Sequence, residues 1–443
     1  MIRNREALGG TPPRDLALDC LAAGIEAAHP RRVIDASVAV ADGTLTVGEG
    51  TYDLDAYGEV FVLGGGKAAN VVAGALVDRL GDRVTGGAVV TDDPAGIPGV
   101  EVFEGGHPVP TEEGVEGARR VLELAGRAGE DALVLAVVTG GGSALMTAPA
   151  EGVALGDVRA VTDAMLDAGM EIHEINAVRK HCSRIKGGHL ARAAAPATVV
   201  NLVFSDVVGN DPGVVASGPT SPDDSTFGDA LAALDRYGVE PPAAVRDRLR
   251  AGAAGTLPET PDRDDPAFDR VHTHVLADGM TALAAAREVA REAGYATLVL
   301  SSRIRGEAGE VATVHVGVAE ECRATGNPLD PPAVILSGGE LTVTVRGDGS
   351  GGPSTEFATR AGLELAGGTG TTVAAVDTDG IDGRSDVAGG VVDGDTVTDR
   401  DAAREALADS DAATYLAAND AAVRTGPTGT NVNDLRVVVV EEE

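Results

Sequence analysis

The sequence predicts an α/β protein with two domains, and three observations lead to that prediction. The chain is 443 residues long, which exceeds what one ordinary hydrophobic core serves. Short apolar runs of strand length alternate with helical patterns over nearly all of it, which is typical of parallel sheets covered by helices. A stretch rich in Gly, Pro and Asp, residues 251–270, divides the chain into two such series. We therefore expect an N-terminal domain over residues 1–255, a linker over 256–269 and a C-terminal domain over 270–443.

The first series begins with a helix over residues 16–28 that is entered through Pro13. Residues 31–56 alternate weakly and predict a small hairpin. Further strands are expected at 60–63, 84–90, 100–103, 133–138 and 199–204, and helices at 67–80, 111–128 and within 155–190. The second series has strands at 271, 297, 334, 342, 372 and 435–440, and helices that begin near 279, 307 and 355.

The stretch FVLGGGKAAN, residues 61–70, joins a predicted strand to a helix through three glycines and a lysine. Lysine is rare, since only three of the 35 basic residues are lysines, at 67, 180 and 186. A glycine turn at a helix amino terminus can present free backbone N–H groups to an anion. The alternative is a tight turn with a solvent-facing lysine.

The stretch matches two nucleotide-binding sequence patterns only in part. Gly64, Gly66 and Ala69 match the loose dinucleotide pattern, but the expected acidic residue is late, because Asp92 follows Gly64 by 28 positions. The P-loop pattern fails because alanine follows Lys67. A lysine in the loop favours a site for a phosphoryl group.

A second glycine loop, TGGGSAL at residues 139–145, also follows a strand. We expect Ser143 to be the helix N-cap, and capping alone is the alternative to a ligand role. Because the carboxyl ends of parallel strands share one edge of a sheet, both loops should lie at that edge.

Residues 175–191 concentrate Arg179, Lys180, Arg184 and Lys186 in a chain dominated by acids. Positions 179 and 186 are two helical turns apart and are expected to share a face that binds an anion. The alternative is a solvated basic face.

Carboxylates follow strands in both halves. Asp206 begins the segment after the strand at 199–204, and Asp379 occupies the equivalent place after the strand at 372. A carboxylate near a phosphate site is what Mg²⁺ requires, so these two are the candidate metal ligands.

The composition excludes several classes of partner. The 69 acidic residues outnumber the 35 basic ones and give a net charge of −34, which repels nucleic acids and anionic membranes. Together with 2% aromatic residues, this charge resembles that of proteins from a salt-saturated cytoplasm, where screening is strong. Three scattered cysteines form neither a disulfide framework nor a metal motif. We expect a cytoplasmic protein.

The motifs together resemble those of the glycerate 2-kinase family, whose carboxy-terminal half is called the MOFRL domain. The match rests on their order and spacing over nearly the whole chain, more than on any single glycine loop. The matching segments are 64–69, 105–114, 139–145, 175–191, 204–227, 337–347 and 377–383. The resemblance implies a larger Rossmann-like three-layer domain, a smaller α/β domain, and an active site in the cleft between them.

The resemblance also implies ATP-dependent phosphorylation of the C2 hydroxyl of D-glycerate, with Mg²⁺ as the accompanying cation. We expect Lys67 and Asp206 to be catalytic, with Asp206 and Asp379 as metal ligands. The expected substrate-binding residues are Ser143, Arg179, Lys186, Ser217 and Gly218. The expected ATP-binding residues are Gly64, Gly65, Gly66, Gly140, Gly141, Gly142, Gly187, Gly188, Ser337, Gly338, Gly339, Glu340 and Asp379.

The chain departs from the family at one motif. Relatives commonly carry Arg-Asn-Gln where this chain has Pro353, Ser354 and Thr355. If that arginine neutralises the transferred phosphoryl group, Arg179, Arg346 or Arg360 would have to replace it.

Other functions fit part of the sequence. A nicotinamide-dependent hydroxypyruvate reductase would suit the dinucleotide pattern, a kinase of a related sugar acid would suit the loops, and a sensor would need only binding. The expected partners are ATP and a small acid, with a homodimer left open.

Overall fold

The computed structural model describes residues 1–442. The helices are α1 (Arg5–Leu8), α2 (Pro12–Ala27), α3 (Pro30–Ser37), α4 (Ala69–Leu80), α5 (Glu112–Ala125), α6 (Gly142–Leu145), α7 (Leu155–Asp167), α8 (Ile172–His181), α9 (His189–Ala194), α10 (Phe227–Tyr237), α11 (Ala243–Ala253), α12 (Gly279–Glu292), α13 (Ala308–Thr325), α14 (Pro353–Leu365), α15 (Arg400–Ala408) and α16 (Ala412–Ala418). The strands are β1 (Val38–Ala41), β2 (Thr44–Val47), β3 (Gly50–Asp53), β4 (Glu59–Gly65), β5 (Gly86–Thr91), β6 (Glu101–Glu104), β7 (Ala132–Thr139), β8 (Thr198–Phe204), β9 (Val271–Ala277), β10 (Ala296–Ile304), β11 (Ala333–Gly339), β12 (Thr371–Asp377), β13 (Gly389–Asp393), β14 (Ala422–Val423) and β15 (Asp434–Val440).

The chain forms two compact units, and the larger one spans Val33–Leu276. Its main sheet has the order β6-β5-β4-β7-β8-β9, and its first five strands pair in parallel. Every residue of β7 and β8 is buried, as expected of central strands covered on both faces. The predicted Rossmann-like parallel sheet is therefore confirmed in this unit.

The second unit combines Met1–Arg32 with the chain from Ala277 onward. Its sheet has the order β10-β11-β15-β12-β13-β14, in which β10 and β11 are parallel and the other pairs are antiparallel. The apolar core on one face of this sheet packs against α13 and α14, with Phe357 fully buried at its centre.

The predicted domain boundaries differ from these units at both ends. Helix α2 belongs to the second unit because its apolar face packs on α12 and β15, and there is no room for a side chain at Gly24 beside Leu435. Strand β9, expected to open the C-terminal series, instead extends the sheet of the larger unit beside β8. The expected linker 256–269 consequently lies inside that unit. Composition identified an irregular segment but not which sheet the next strand joins.

Most predicted elements are present with small shifts in their ends. Thr111 caps α5 as expected, because its Oγ1 accepts the N–H of Gly114 at 3.2 Å. The segment expected as one hairpin is a helix, α3, followed by the three-stranded antiparallel sheet β1-β2-β3. Thr342 makes only an isolated bridge to Glu307, not a strand. No helix within residues 1–442 is long and apolar enough to cross a membrane.

Candidate active site

Three loops meet at the carboxyl ends of neighbouring strands in the larger unit. Lys67 follows β4, Gly140 to Gly142 follow β7, and Asp206 follows β8. Because β4 pairs with β7 and β7 with β8, all in parallel, the loops emerge side by side at one edge. This edge is where ligands bind in parallel sheets.

The glycines after β4 permit close packing of the backbone. A Cβ atom on Gly64 would overlap the carbonyl oxygen of Val137, and one on Gly66 would overlap Oγ1 of Thr139. Both glycines also have positive φ, +148° and +134°. Any side chain here would push β4 away from β7.

The N–H groups of this turn are already occupied. Gly66 donates to the carbonyl of Val90 at 3.0 Å, and Lys67 donates to that of Gly140 at 2.9 Å. The N–H of Ala68 donates to Oγ1 of Thr139 at 3.2 Å. The expectation that the turn offers these N–H groups to an anion is therefore wrong, since they join neighbouring strand ends. The positive charge of this turn is carried by the Lys67 side chain.

Lys67 and Asp206 form the charged centre of this edge. Asp206 packs against Gly140 so closely that a Cβ there would overlap its Oδ2. Burial raises the pKa of Asp206, and the charge of Lys67 opposes that rise. The stem of Lys67 passes beside Gly141, next to the ring of His107. An ammonium and a carboxylate thus share the end of the central strands.

The loop after β7 places Ser143 inside helix α6, not before it. The N-cap is Gly141, in the left-handed region at φ 76°, so the predicted capping role of Ser143 is wrong. Its hydroxyl lies 2.7 Å from the hydroxyl of Ser217. Ser217 in turn donates to Oδ1 of Asn176 at 2.9 Å. Ser217, predicted to bind substrate, is fully buried behind Ser143.

Two cations without a counter-ion lie close to Ser143. Lys186 is buried and its Nζ donates to the carbonyl of Met146 at 3.1 Å. Burial, helped by Arg179, lowers the pKa of Lys186 to about 7. Burial also lowers the pKa of Arg179. Neither side chain makes an ion pair with any carboxylate of residues 1–442. Such an uncompensated pair is costly and favours an anion as its partner.

Ser143, Arg179 and Lys186 line one narrow pocket with otherwise mainly apolar walls, among them Pro108, Val158 and Cys182. Its volume is about 30 Å³, far too little for a nucleotide. Three of the five predicted substrate-binding residues are thus brought together.

The cations converge for a different reason from the one predicted. Arg179 lies in α8, which ends at His181, and Lys186 lies beyond it, so they do not share a helical face. Lys180 is already neutralised, because its Nζ lies 3.1 Å from the buried carboxylate of Asp223. Arg184 is exposed. Only part of the basic segment therefore reaches the pocket.

Three glycines that the sequence predicted to bind ligands determine the backbone path behind this pocket, namely Gly187, Gly188 and Gly218. Gly187 donates its N–H to the carbonyl of Ser217 at 3.0 Å, and Gly188 donates to that of Gly218 at 2.8 Å. The N–H of Gly218 donates to the carbonyl of Val215 at 2.9 Å. All three have left-handed φ values. The hydrogen bonds from their N–H groups stabilise the turn that contains Ser217.

The remaining predicted residues belong to the second unit. Ser337 is buried and its Oγ lies 2.8 Å from Nε2 of His315. Gly338 and Gly339 are ladder residues at the end of β11, opposite Leu435 and Asp434 of β15. Glu340 follows them and is exposed. The ATP-binding roles expected of these residues stay predictions.

Carboxylates gather at the ends of β12 and β15. The N–H of Asp379 donates to Oδ1 of Asp377 at 3.0 Å, and burial raises the pKa of Asp377. Asp382 accepts the N–H groups of Ser354 and Thr355 at the start of α14, and burial raises its pKa to about 6. These bonds anchor a helix end.

No group of three or more His, Cys, Asp or Glu residues suited to a metal ion exists in residues 1–442. The two expected metal ligands, Asp206 and Asp379, belong to different units. A Mg²⁺ that accompanies ATP needs only one or two carboxylates besides phosphate oxygens and water, so a single carboxylate such as Asp206 fits that requirement.

The position of the missing family arginine is the first residue of α14. Pro353 occupies it, where a missing N–H costs nothing. Of the proposed replacements, Arg360 pairs with Glu364 at 2.9 Å and donates to Thr313. Arg346 is exposed, and its charge opposes the rise in the pKa of Glu356 that burial causes. Arg179 lines the pocket without a carboxylate partner.

Sequence reasoning missed Asn176 and the Lys180–Asp223 pair. No local pattern marks Asn176, since it is one polar residue on an otherwise buried helix face. The scarcity of lysine did mark Lys180, but its partner lies 43 positions away in the chain. Only the fold brings those two together.

Two family models cover most of the chain. Residues 16–250 match "Domain of unknown function (DUF4147)", and residues 333–434 match the MOFRL family.

Relatives and a solved structure agree over nearly the full length. The D-glycerate 2-kinase of Thermotoga maritima is 36% identical over 434 residues, covering 96% of this chain and 98% of the relative. A protein of Agrobacterium vitis named putative hydroxypyruvate reductase is 41% identical over 418 residues, 93% of each chain. The crystal structure of glycerate kinase from Thermotoga maritima superposes with a TM-score of 0.84, covering 96% of this chain and 98% of that one.

Proposed function

The chain belongs to the glycerate 2-kinase family, and we propose that it transfers the γ-phosphoryl group of ATP to the 2-hydroxyl of D-glycerate. The products would be 2-phosphoglycerate and ADP. Support comes from relatives that are named glycerate 2-kinases over the full length of the chain, and from the charged edge that carries Lys67 and Asp206.

The hydrogen bonds that the N–H groups of the glycine turn already make within the protein favour phosphoryl transfer over hydride transfer. A dinucleotide enzyme needs the N–H groups at this turn for the pyrophosphate of its cofactor. Here the N–H groups of Gly66, Lys67 and Ala68 are bonded to the protein. The turn contributes a cation, Lys67. Stabilising the negative charge of the transferred phosphoryl group is most of what a kinase must do.

The narrow pocket suits the carboxylate of the acceptor. Arg179 and Lys186 make no ion pair with a carboxylate of residues 1–442, and both line this pocket. An acid bound there is held by both cations.

ATP, when bound, supplies the phosphoryl group, and Mg²⁺ accompanies its phosphates. In this proposal Asp206 is the protein carboxylate that meets the cation or orients the acceptor hydroxyl. Lys67 faces the charge of the transferred group. The glycine loops keep these two side chains at the ends of β4 and β8, which lie on either side of β7.

Lys67→Ala tests the kinase mechanism. We expect turnover to fall at least about 100-fold, since removing one preorganised charge partner from such a site typically costs that much. Circular dichroism should be unchanged, and Lys67→Arg should recover part of the rate. A Lys67→Ala variant that releases ADP at a near-normal rate would exclude the proposed role.

A hydroxypyruvate reductase is the second candidate, because the relative from Agrobacterium vitis carries that name. Two assays in molar KCl separate the functions: ADP release with D-glycerate, and NADH consumption with hydroxypyruvate. We expect the first alone to give a signal, with phosphorus NMR of the product showing phosphate on C2. Faster ADP release with a longer sugar acid would redirect the substrate assignment.

A further inference from the structure

Three consecutive residues beside the pocket adopt left-handed backbone conformations. Their φ values are 51° at Ala216, 61° at Ser217 and 60° at Gly218. For residues other than glycine this conformation costs about 1 kcal/mol or more each. Glycine would avoid that cost at positions 216 and 217.

The strained turn points the Ser217 hydroxyl into a hydrogen-bonded series. Ser217 donates its one proton to Oδ1 of Asn176 at 2.9 Å. The proton shared with Ser143, 2.7 Å away, must therefore come from the Ser143 hydroxyl. Ser143 is left with lone pairs only, so toward the pocket it can accept a hydrogen bond but not donate one.

The pocket therefore offers two cations that can bind an anion and, beside them, a hydroxyl that can accept a hydrogen bond. Arg179 and Lys186 favour an anion, and the Ser143 hydroxyl can take up only a hydrogen-bond donor. A carboxylate with a hydroxyl on the adjacent carbon satisfies both. A phosphate monoester or a simple carboxylic acid satisfies only the first.

We propose that the series Asn176–Ser217–Ser143 makes this pocket selective for 2-hydroxy acids. Ser143 accepts the hydrogen bond of the ligand's 2-hydroxyl while the two cations hold its carboxylate. Ser217 and Asn176 are positioning residues that fix the direction of the Ser143 proton. This inference rests on the proposed function, because it describes how the acceptor acid is recognised.

The test uses binding without ATP, so it does not depend on turnover. Calorimetry compares D-glycerate with 3-hydroxypropionate, which lacks only the 2-hydroxyl. We expect the wild-type protein to prefer D-glycerate roughly tenfold, the range for one lost hydrogen bond in a desolvated site. Ser217→Gly should reduce that preference to about twofold, since the freed Ser143 hydroxyl can then turn either way.

Ala216→Gly is the matched control, because it relieves the same strain without removing a hydroxyl. It should keep the wild-type preference and be at least as heat-stable as the wild type. Equal loss of preference in both variants, or a wild type that binds the two acids alike or binds neither, would overturn the inference. If the preference behaves as expected while D-glycerate yields no ADP, the kinase proposal alone fails.

Discussion

Removing the charge of Lys186 should stabilise the protein at neutral pH. Its pKa falls from the ordinary 10.5 to about 7 on folding, so at pH 7 the folded state disfavours a proton that the unfolded state holds firmly. The full penalty is about 5 kcal/mol at about 1.4 kcal/mol per pKa unit, and about 4 kcal/mol of it applies at pH 7. Lys186→Met also leaves the carbonyl of Met146 without that donor, which costs about 1–3 kcal/mol. A net gain of about 1–3 kcal/mol should remain.

The sign of the effect depends on pH in a defined way. Because the folded pKa of Lys186 is the lower one, the penalty is complete below about 7 and fades as the pH rises toward 10.5. The stability of Lys186→Met relative to the wild type should therefore fall by about 3 kcal/mol between about pH 7 and pH 10, so the gain seen at pH 7 disappears. Urea unfolding in molar KCl at both pH values measures it.

Lys180→Met is the matched control in the same basic segment. Lys180 is also buried but pairs with Asp223, so its removal should destabilise the protein by about 3 kcal/mol, the cost of leaving a buried charge unpaired. Destabilisation by Lys186→Met at pH 7, or a gain that does not change with pH, would refute the view of Lys186 as an uncompensated cation.

Two further results are expected from the same geometry. Because an anion favours the charged form of Lys186, the KM for D-glycerate should rise above about pH 7, by up to roughly tenfold per pH unit, and Lys186→Met should abolish that rise. Gly66→Ala should destabilise the fold by at least about 2 kcal/mol in urea unfolding, since its methyl group would overlap Thr139 at a positive φ. Gly74→Ala, in α4 where nothing lies within 4 Å of the new Cβ, should instead be neutral or stabilising by up to about 1 kcal/mol.

The sequence predicted the strand and helix order well because buried parallel strands and amphipathic helices have local signals. It also located Lys67, since a rare lysine in a glycine turn is visible without a structure. It could not show that the turn's N–H groups bond to Val90 and Gly140, because those acceptors lie on other strands. The assignment of α2 to the second unit is likewise a long-range packing result with no local signature.

The distribution of lysine in an arginine-rich chain has a physical reason in this site. Arginine carries five N–H donors and keeps its charge, so burying it requires many acceptors. Arg436 illustrates the cost, since it is fully buried and its Nε and Nη1 lack a partner although Asp434 holds the third nitrogen. Within residues 1–442, the acceptor for the Lys186 ammonium is the carbonyl of Met146. A lysine ammonium can lose its proton, so it can stay buried at position 186 while no anion is bound. A guanidinium there would remain charged and would lack hydrogen-bond acceptors.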